Sequence, residues 1–136
     1  MSFTVNDERL GDTITGYLKA LGQLEKAISQ PKDEYVRDSV IQRFEFIHEL
    51  ALKMLKLRLE QEYVFANTPR ETMRASLQAG FIEDGNAWTD LQKMRNLTSH
   101  TYNEELAEEV YAFVVGEGVY LFQQLAQKTL LWKTND

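Results

Sequence analysis

Residues 33–61 read DEYVRDSVIQRFEFIHELALKMLKLRLEQ, and no Gly or Pro interrupts the chain from Glu34 to Thr68. One helix is expected from about Asp33 to Gln61. Val36, Val40, Phe44, Ile47, Ala51 and Met54 return at steps of three or four residues and form a single stripe. Phe46, Leu50 and Leu57, together with Leu52, Leu55 and Leu59, place apolar side chains on most of the remaining circumference. A helix that is apolar nearly all round has to be covered on more than one side. A helix of a four-helix monomer is covered over about half its surface, so part of this one is expected to pack against a second copy of the chain. Complete cover within one chain is the alternative.

Upstream, Leu10, Ile14, Tyr17, Leu18, Leu21, Leu24 and Ile28 make an amphipathic helix that Pro31 terminates. Downstream, Thr68-Pro69-Arg70-Glu71 reads as a helix start, with Thr68 as cap, Pro69 in the first turn and Glu71 completing a capping box. That short helix should end at Gly80. Asn86 is expected to cap the next helix, which carries Trp88, Leu91 and Met94 and must stop within Asn96 to Thr101, a stretch of weak helix formers. Asn103 should cap the last helix, with Leu106, Val110, Phe113, Val114, Leu121 and Leu125 inside. Ala112, Gly116 and Gly118 in that helix read as points where another helix comes close, since each Gly costs about 1 kcal/mol relative to Ala. Lys133 to Asp136 reads as a frayed end.

Only 7 Gly and 2 Pro in 136 residues leave little turn material for a many-stranded sheet. The reading is all-α: an antiparallel, up-and-down four-helix-type bundle with an extra short helix, one domain over residues 1–136, dimerising. Cys is absent, which removes disulfides, thiolate metal sites and Cys nucleophiles. No long apolar run and no basic-then-apolar leader are visible, so a cytoplasmic protein with no membrane partner is expected. A net charge of -6 argues against binding long nucleic acid through a general field. Residues 69–102 balance Arg70, Arg74, Lys93 and Arg95 against Glu71, Glu83, Asp84 and Asp90, so this stretch is neutral on an acidic body.

The inventory of reactive groups is short. His48 and His100 are the two histidines, and their separation excludes a two-histidine zinc helix. Glu45-x-x-His48 is one half of a di-metal ligand set, but Leu97 stands where the second half would need a carboxylate. No metal and no cofactor are expected, and phosphate-cradling glycine motifs are also missing. What remains is Arg95-Asn96-Leu97-Thr98-Ser99-His100-Thr101-Tyr102. On an unbroken helix Arg95 and His100 would face about 140° apart, so a bend is needed to bring them to one phosphate-sized site. A guanidinium can hold phosphoryl oxygens, and an imidazole can accept the proton of a ribose 2′-hydroxyl. The plainer alternative is a helix-end Arg, a loop His and a Tyr lid. Arg43, Glu45 and Glu49 on the second helix either support the site or form a solvated seam; Trp88 and Phe81 read as core.

Arg95, His100 and Tyr102 match the Arg-x4-His-x-Tyr motif of the HEPN superfamily, and the chain resembles its HepT-like branch, the nucleotidyltransferase substrate-binding protein family. Gln42-Arg43-Phe44-Glu45-Phe46, Thr68-Pro69-Arg70-Glu71 and Phe81-Ile82-Glu83-Asp84 with Trp88 extend the resemblance over about residues 35–125. One departure is Leu52-Lys53, where many members carry an aromatic before the Lys. The resemblance implies a dimer in which Arg95 and His100 of both copies line an interface cleft that takes RNA or a nucleotide. It also implies a minimal nucleotidyltransferase encoded nearby as partner. In toxin and antitoxin pairs of this kind the helical protein is a metal-independent endoribonuclease, silenced by addition of AMP to the motif tyrosine, here Tyr102. The other role the family suggests is a non-catalytic substrate-binding or regulatory subunit. Arg95 and His100 are then the expected catalytic pair, with Asn96, Arg43, Glu45 and Glu49 as supporting residues.

Overall fold

Helix α2, Glu34–Gln61, runs through the middle of the molecule in a computed structural model that describes residues 5–132. Asp33 caps it by accepting from the Val36 amide, and α1, Val5–Ile28, lies against it after a turn through Pro31. The short α3, Pro69–Gln78, begins with the expected cap: Thr68 Oγ1 accepts from the Glu71 amide at 3.1 Å. It closes through Gly80 at φ +80°, a left-handed geometry that suits glycine. Helix α4, Gly85–Leu97, is followed by a 3-10 turn, Thr98–His100, and by α5, Glu104–Phe113. A π-helical turn, Val114–Gly118, joins α5 to α6, Val119–Trp132. Among the described residues there is no strand, and no helix is long and apolar enough to cross a membrane. The frayed end expected at Lys133 to Asp136 lies outside them.

The core forms where α1, α4 and α6 close on α2. Tyr17, Phe44, Trp88 and Phe122 meet there, and the buried Tyr17 hydroxyl donates to the Phe122 carbonyl at 2.7 Å. That bond satisfies a polar group which burial would otherwise penalise. Trp88 and Phe81 are core residues, as read from the sequence.

Three local expectations need correction. Asp84, not Asn86, caps α4, its side chain accepting from the Ala87 amide at 3.0 Å; an Asp two residues earlier offered the same chemistry. Close approach explains Gly118 alone, where an added Cβ would sit 3.4 Å from Leu91 of α4 and from Phe113. Gly116 and Ala112 are exposed, and Gly116 has no neighbour of that kind, being part of the wide turn. Third, part of the α2 circumference set aside for a second copy is covered within the chain, since Leu55, Leu57 and Leu59 are buried; Phe46 stays 53% exposed, and packing on a second copy is left open. Helices α1, α3, α4 and α5 all pack against α2.

Candidate functional site

The end of α4 unwinds because its own hydroxyls take the carbonyls that further helix would use. Thr98 Oγ1 lies 2.7 Å from the Arg95 carbonyl, Ser99 Oγ donates to Asn96 at 3.0 Å, and Thr101 Oγ1 donates to Thr98 at 3.1 Å. The Asn103 amide closes the turn on the His100 carbonyl, and Asn103 Oδ1 then caps α5 by accepting from the Glu105 and Leu106 amides. The α-helix therefore gives way after Leu97 to a 3-10 turn that carries His100.

Arg95 is braced against α2. Its Nη1 donates to Thr98 Oγ1 at 2.8 Å and stands 3.6 Å from Glu45 Oε2, while Thr98 Oγ1 is 3.0 Å from the same carboxylate oxygen. Thr98 is buried and has one proton to give, to Glu45 or to the Arg95 carbonyl. One edge of the guanidinium is thus fixed, while Nε and Nη2 make no hydrogen bond among the described residues, so the fork keeps donors for an anion. His100 and Tyr102 are exposed on the turn, with ring centroids 6.1 Å apart in an edge-on arrangement and Tyr102 84% exposed.

His48 occupies a different environment. It is buried beside the Phe44 ring, and its pKa is pushed down to about 4, first by burial and then by the charge of Arg95. It stays neutral at pH 7 and is not presented to a substrate. Glu45 points to Arg95 while His48 points inward, so the Glu-x-x-His spacing does not gather two ligands. Among the described residues no three His, Asp or Glu side chains converge as metal ligands.

Of the supporting residues read from the sequence, Glu45 alone reaches Arg95. Arg43 donates instead to Gln23 of α1 at 3.1 Å, Asn96 accepts from Gln92 at 3.1 Å, and Glu49 is exposed a turn beyond Glu45. Two residues were missed. Thr98 is one; a Thr three residues after a terminal Arg was its only signal. The other is Arg37, whose buried guanidinium donates to Asp38 at 3.0 Å, Glu104 at 2.6 Å and Glu108 at 3.1 Å. Those contacts, Glu104 foremost, hold Arg37 firmly charged; Lys32, paired with Glu108, and then Arg37 hold the Glu108 carboxyl below its usual range. Through Arg37 and Lys32, Glu104 and Glu108 fasten the start of α5, two residues beyond Tyr102, to the start of α2.

The fold and this turn define a small helical-bundle protein that carries an Arg, a His and a Tyr where α4 passes into α5. A family model described as nucleotidyltransferase substrate binding protein like matches residues 12–130, and the chain belongs to that family. A protein of Haemophilus influenzae called probable ribonuclease HepT is 40% identical over 99 residues, 65% of this chain and 66% of its own length. A solved protein of Thermus thermophilus matches with a TM-score of 0.72 at 27% identity, covering 88% of this chain and 99% of its own. A Haemophilus influenzae structure, reported as the fold of a substrate binding domain of a nucleotidyltransferase, matches with a TM-score of 0.65 at 28% identity, covering 90% and 97%. The fold is also that of a toxin–antitoxin MntA–HpeT mutant structure, with a TM-score of 0.73 at 16% identity over 90% and 97% of the chains.

Proposed function

We propose that this protein is the HepT-like partner of a minimal nucleotidyltransferase, acting in the cytoplasm as a metal-independent endoribonuclease that AMP addition to Tyr102 switches off. The observation that carries this reading is the exposed His100 and Tyr102 pair on a turn whose Arg95 is held by Glu45 and Thr98 yet keeps free donors. Its support from relatives is the 40% identical protein called a probable ribonuclease HepT. In the reaction, neutral His100 takes the 2′-hydroxyl proton, the 2′-oxygen attacks the adjacent phosphorus, and the bond to the 5′-oxygen breaks. Arg95 stabilises the charge on the phosphoryl oxygens. The products are a 2′,3′-cyclic phosphate and a 5′-hydroxyl, whose oxygen needs a proton.

One chain offers no second exposed imidazole for that proton. A homodimer would supply it, and the exposure of Phe46, one residue from Glu45, supports a meeting of two copies there. AMP on Tyr102 would place a second phosphate and a bulky nucleoside beside His100, blocking entry of RNA. A second reading, a substrate-binding subunit, is favoured by the 28% identical domain described in those terms.

Three measurements test the proposal. Purified protein in EDTA should cleave RNA to cyclic-phosphate ends. Sedimentation should show a dimer that Phe46→Glu dissociates. The cognate nucleotidyltransferase with ATP and Mg²⁺ should label the wild type and leave Tyr102→Phe unlabelled. Absence of cleavage by unmodified dimer rejects the ribonuclease reading in favour of the second.

A further inference from the structure

An open cavity of about 420 Å³ lies between α1, α2 and the start of α3, away from the turn just described. Arg9, Lys53 and Lys56 stand around it, over a floor that includes Leu57 and Ala66, and Glu60 is its one carboxylate. All three cations are exposed, and none is engaged in an ion pair among the described residues. On a chain of net charge -6, three unpaired cations around one hollow are a local reversal of sign, suited to an anionic ligand.

The loop that forms one wall carries a second, independent anomaly. Helix α2 ends in a Schellman-type cap: the Val64 amide bonds the Leu59 carbonyl and the Tyr63 amide bonds the Glu60 carbonyl, both at 3.0 Å. The position that glycine normally fills in this cap is Tyr63, at φ +59°. Its ring is 86% exposed, and Phe65, two residues on, is 66% exposed. A bulky residue in left-handed geometry that gains no burial in return is unfavourable for the fold. Such an outlier points to use of the ring outside the fold.

Cations around a hollow, with aromatic rings on the adjoining loop, are what single-stranded nucleic acid requires: phosphates in the groove and bases on the rings. The register connects the groove to the turn. Leu52 and Lys56 follow Glu45 by seven and eleven residues, about two and three helical turns, so they lie on the same face of α2 as the carboxylate that braces Arg95. Lys53 to Lys56 is then about 12 to 16 Å along the helix from Glu45. We propose that this groove holds the phosphates of the RNA strand beyond the reacting phosphate, through Arg9, Lys53 and Lys56, with Tyr63 and Phe65 stacking its bases. The identity of the strand rests on the ribonuclease reading; the groove's binding of it does not depend on cleavage.

The test uses 2′-O-methyl RNA, which cannot be cleaved, at about 4 and about 14 nucleotides, with affinity read by fluorescence anisotropy on the intact dimer. The Lys53→Gln/Lys56→Gln variant should bind the long strand at least about tenfold more weakly and lower the slope of log affinity against log salt by about 1.4, two phosphate contacts at about 0.7 each. Its affinity for the short strand should not change. Tyr63→Gly should raise thermal stability, because glycine suits the cap, and still weaken long-strand binding about tenfold. Wild-type affinity for the long strand in both variants overturns the proposal, even if the protein cleaves RNA. ATP that competes as well as the long strand also overturns it, since the groove would then be a mononucleotide pocket. Long-strand binding that falls in the variants of a protein that cleaves nothing upholds the groove and rejects the ribonuclease reading alone.

Discussion

His48 lies in the middle of α2, 2% exposed, with the Phe44 ring beside it and the charge of Arg95 within reach, whereas His100 stands in solvent on the turn after α4, next to Tyr102. Both have the same imidazole. Burial withholds the solvation that a charged ring needs, and Arg95 adds repulsion, so His48 stays neutral and packs. In the proposed reaction the same Arg95 would work with His100 at the surface. The cation that reinforces the neutrality of the core on one side would then serve phosphate chemistry on the other. Glu45 completes the division: it is one turn from His48 in sequence but turns outward to Thr98 and Arg95.

The largest test of that contrast is to delete each ring. His100→Ala should lower RNA cleavage by about 10²- to 10⁴-fold, the usual worth of a general base, while the thermal midpoint stays within error of wild type. His48→Ala should do the reverse, losing about 2 to 4 kcal/mol of stability to the cavity it leaves, while the folded fraction keeps its cleavage rate. A His48→Ala protein that is fully stable and inactive would exchange the two roles.

The next effect is on acid stability. The unfolded His48 takes a proton near pH 6.5, while the folded one resists until about 4. Below pH 6.5 the unfolded state therefore binds more protons, and stability falls as pH falls, by about 3 kcal/mol once pH 4 is reached. His48→Leu should remove that share of the loss. Urea titrations of both proteins at neutral pH and at about pH 4 isolate it, because other groups cancel in the difference. Equal losses in the two proteins would mean that His48 is hydrated enough to charge in place.

Much of this was open to reading from the residues. The helix from Asp33 to Gln61, the Thr68 and Asn103 caps and the stop before His100 all follow from local chemistry, where a side chain satisfies backbone within a few residues. Arg95, His100 and Tyr102 could be singled out as candidates because their spacing is itself local. The cover of Leu55, Leu57 and Leu59 was not legible, since it depends on how the other helices return to α2. For the same reason Arg43 and Asn96 read as neighbours of the site, whereas their partners are Gln23 and Gln92. Arg37 was hidden among surface charges because two of its carboxylate partners, Glu104 and Glu108, lie on α5, far along the chain.

A smaller effect should follow from loosening the brace. Thr98→Val keeps the shape but removes the hydroxyl between Arg95 and Glu45, costing about 1 kcal/mol of stability and leaving the guanidinium less fixed. Cleavage should fall about tenfold, the scale of one lost positioning contact, and Thr98→Ser should restore it. The purely structural alternative makes a different forecast: Thr98→Val would lose stability but keep its cleavage rate.

The finest test concerns His48 alone. Arg95→Gln removes the charge that reaches its ring, and NMR titration of the imidazole protons follows it. The His48 midpoint should move upward, because one of the two causes that depress it has gone. It should recover less than half of its displacement, because burial is the larger cause and the substitution leaves His48 covered. Cleavage should be lost at the same time, since a neutral amide cannot hold the phosphoryl charge. A midpoint that returns to the ordinary imidazole range would make Arg95, not burial, the reason His48 is inert. A midpoint that does not move would show that the field of Arg95 is spent at the surface on Glu45, and the two sides of the site would then be independent.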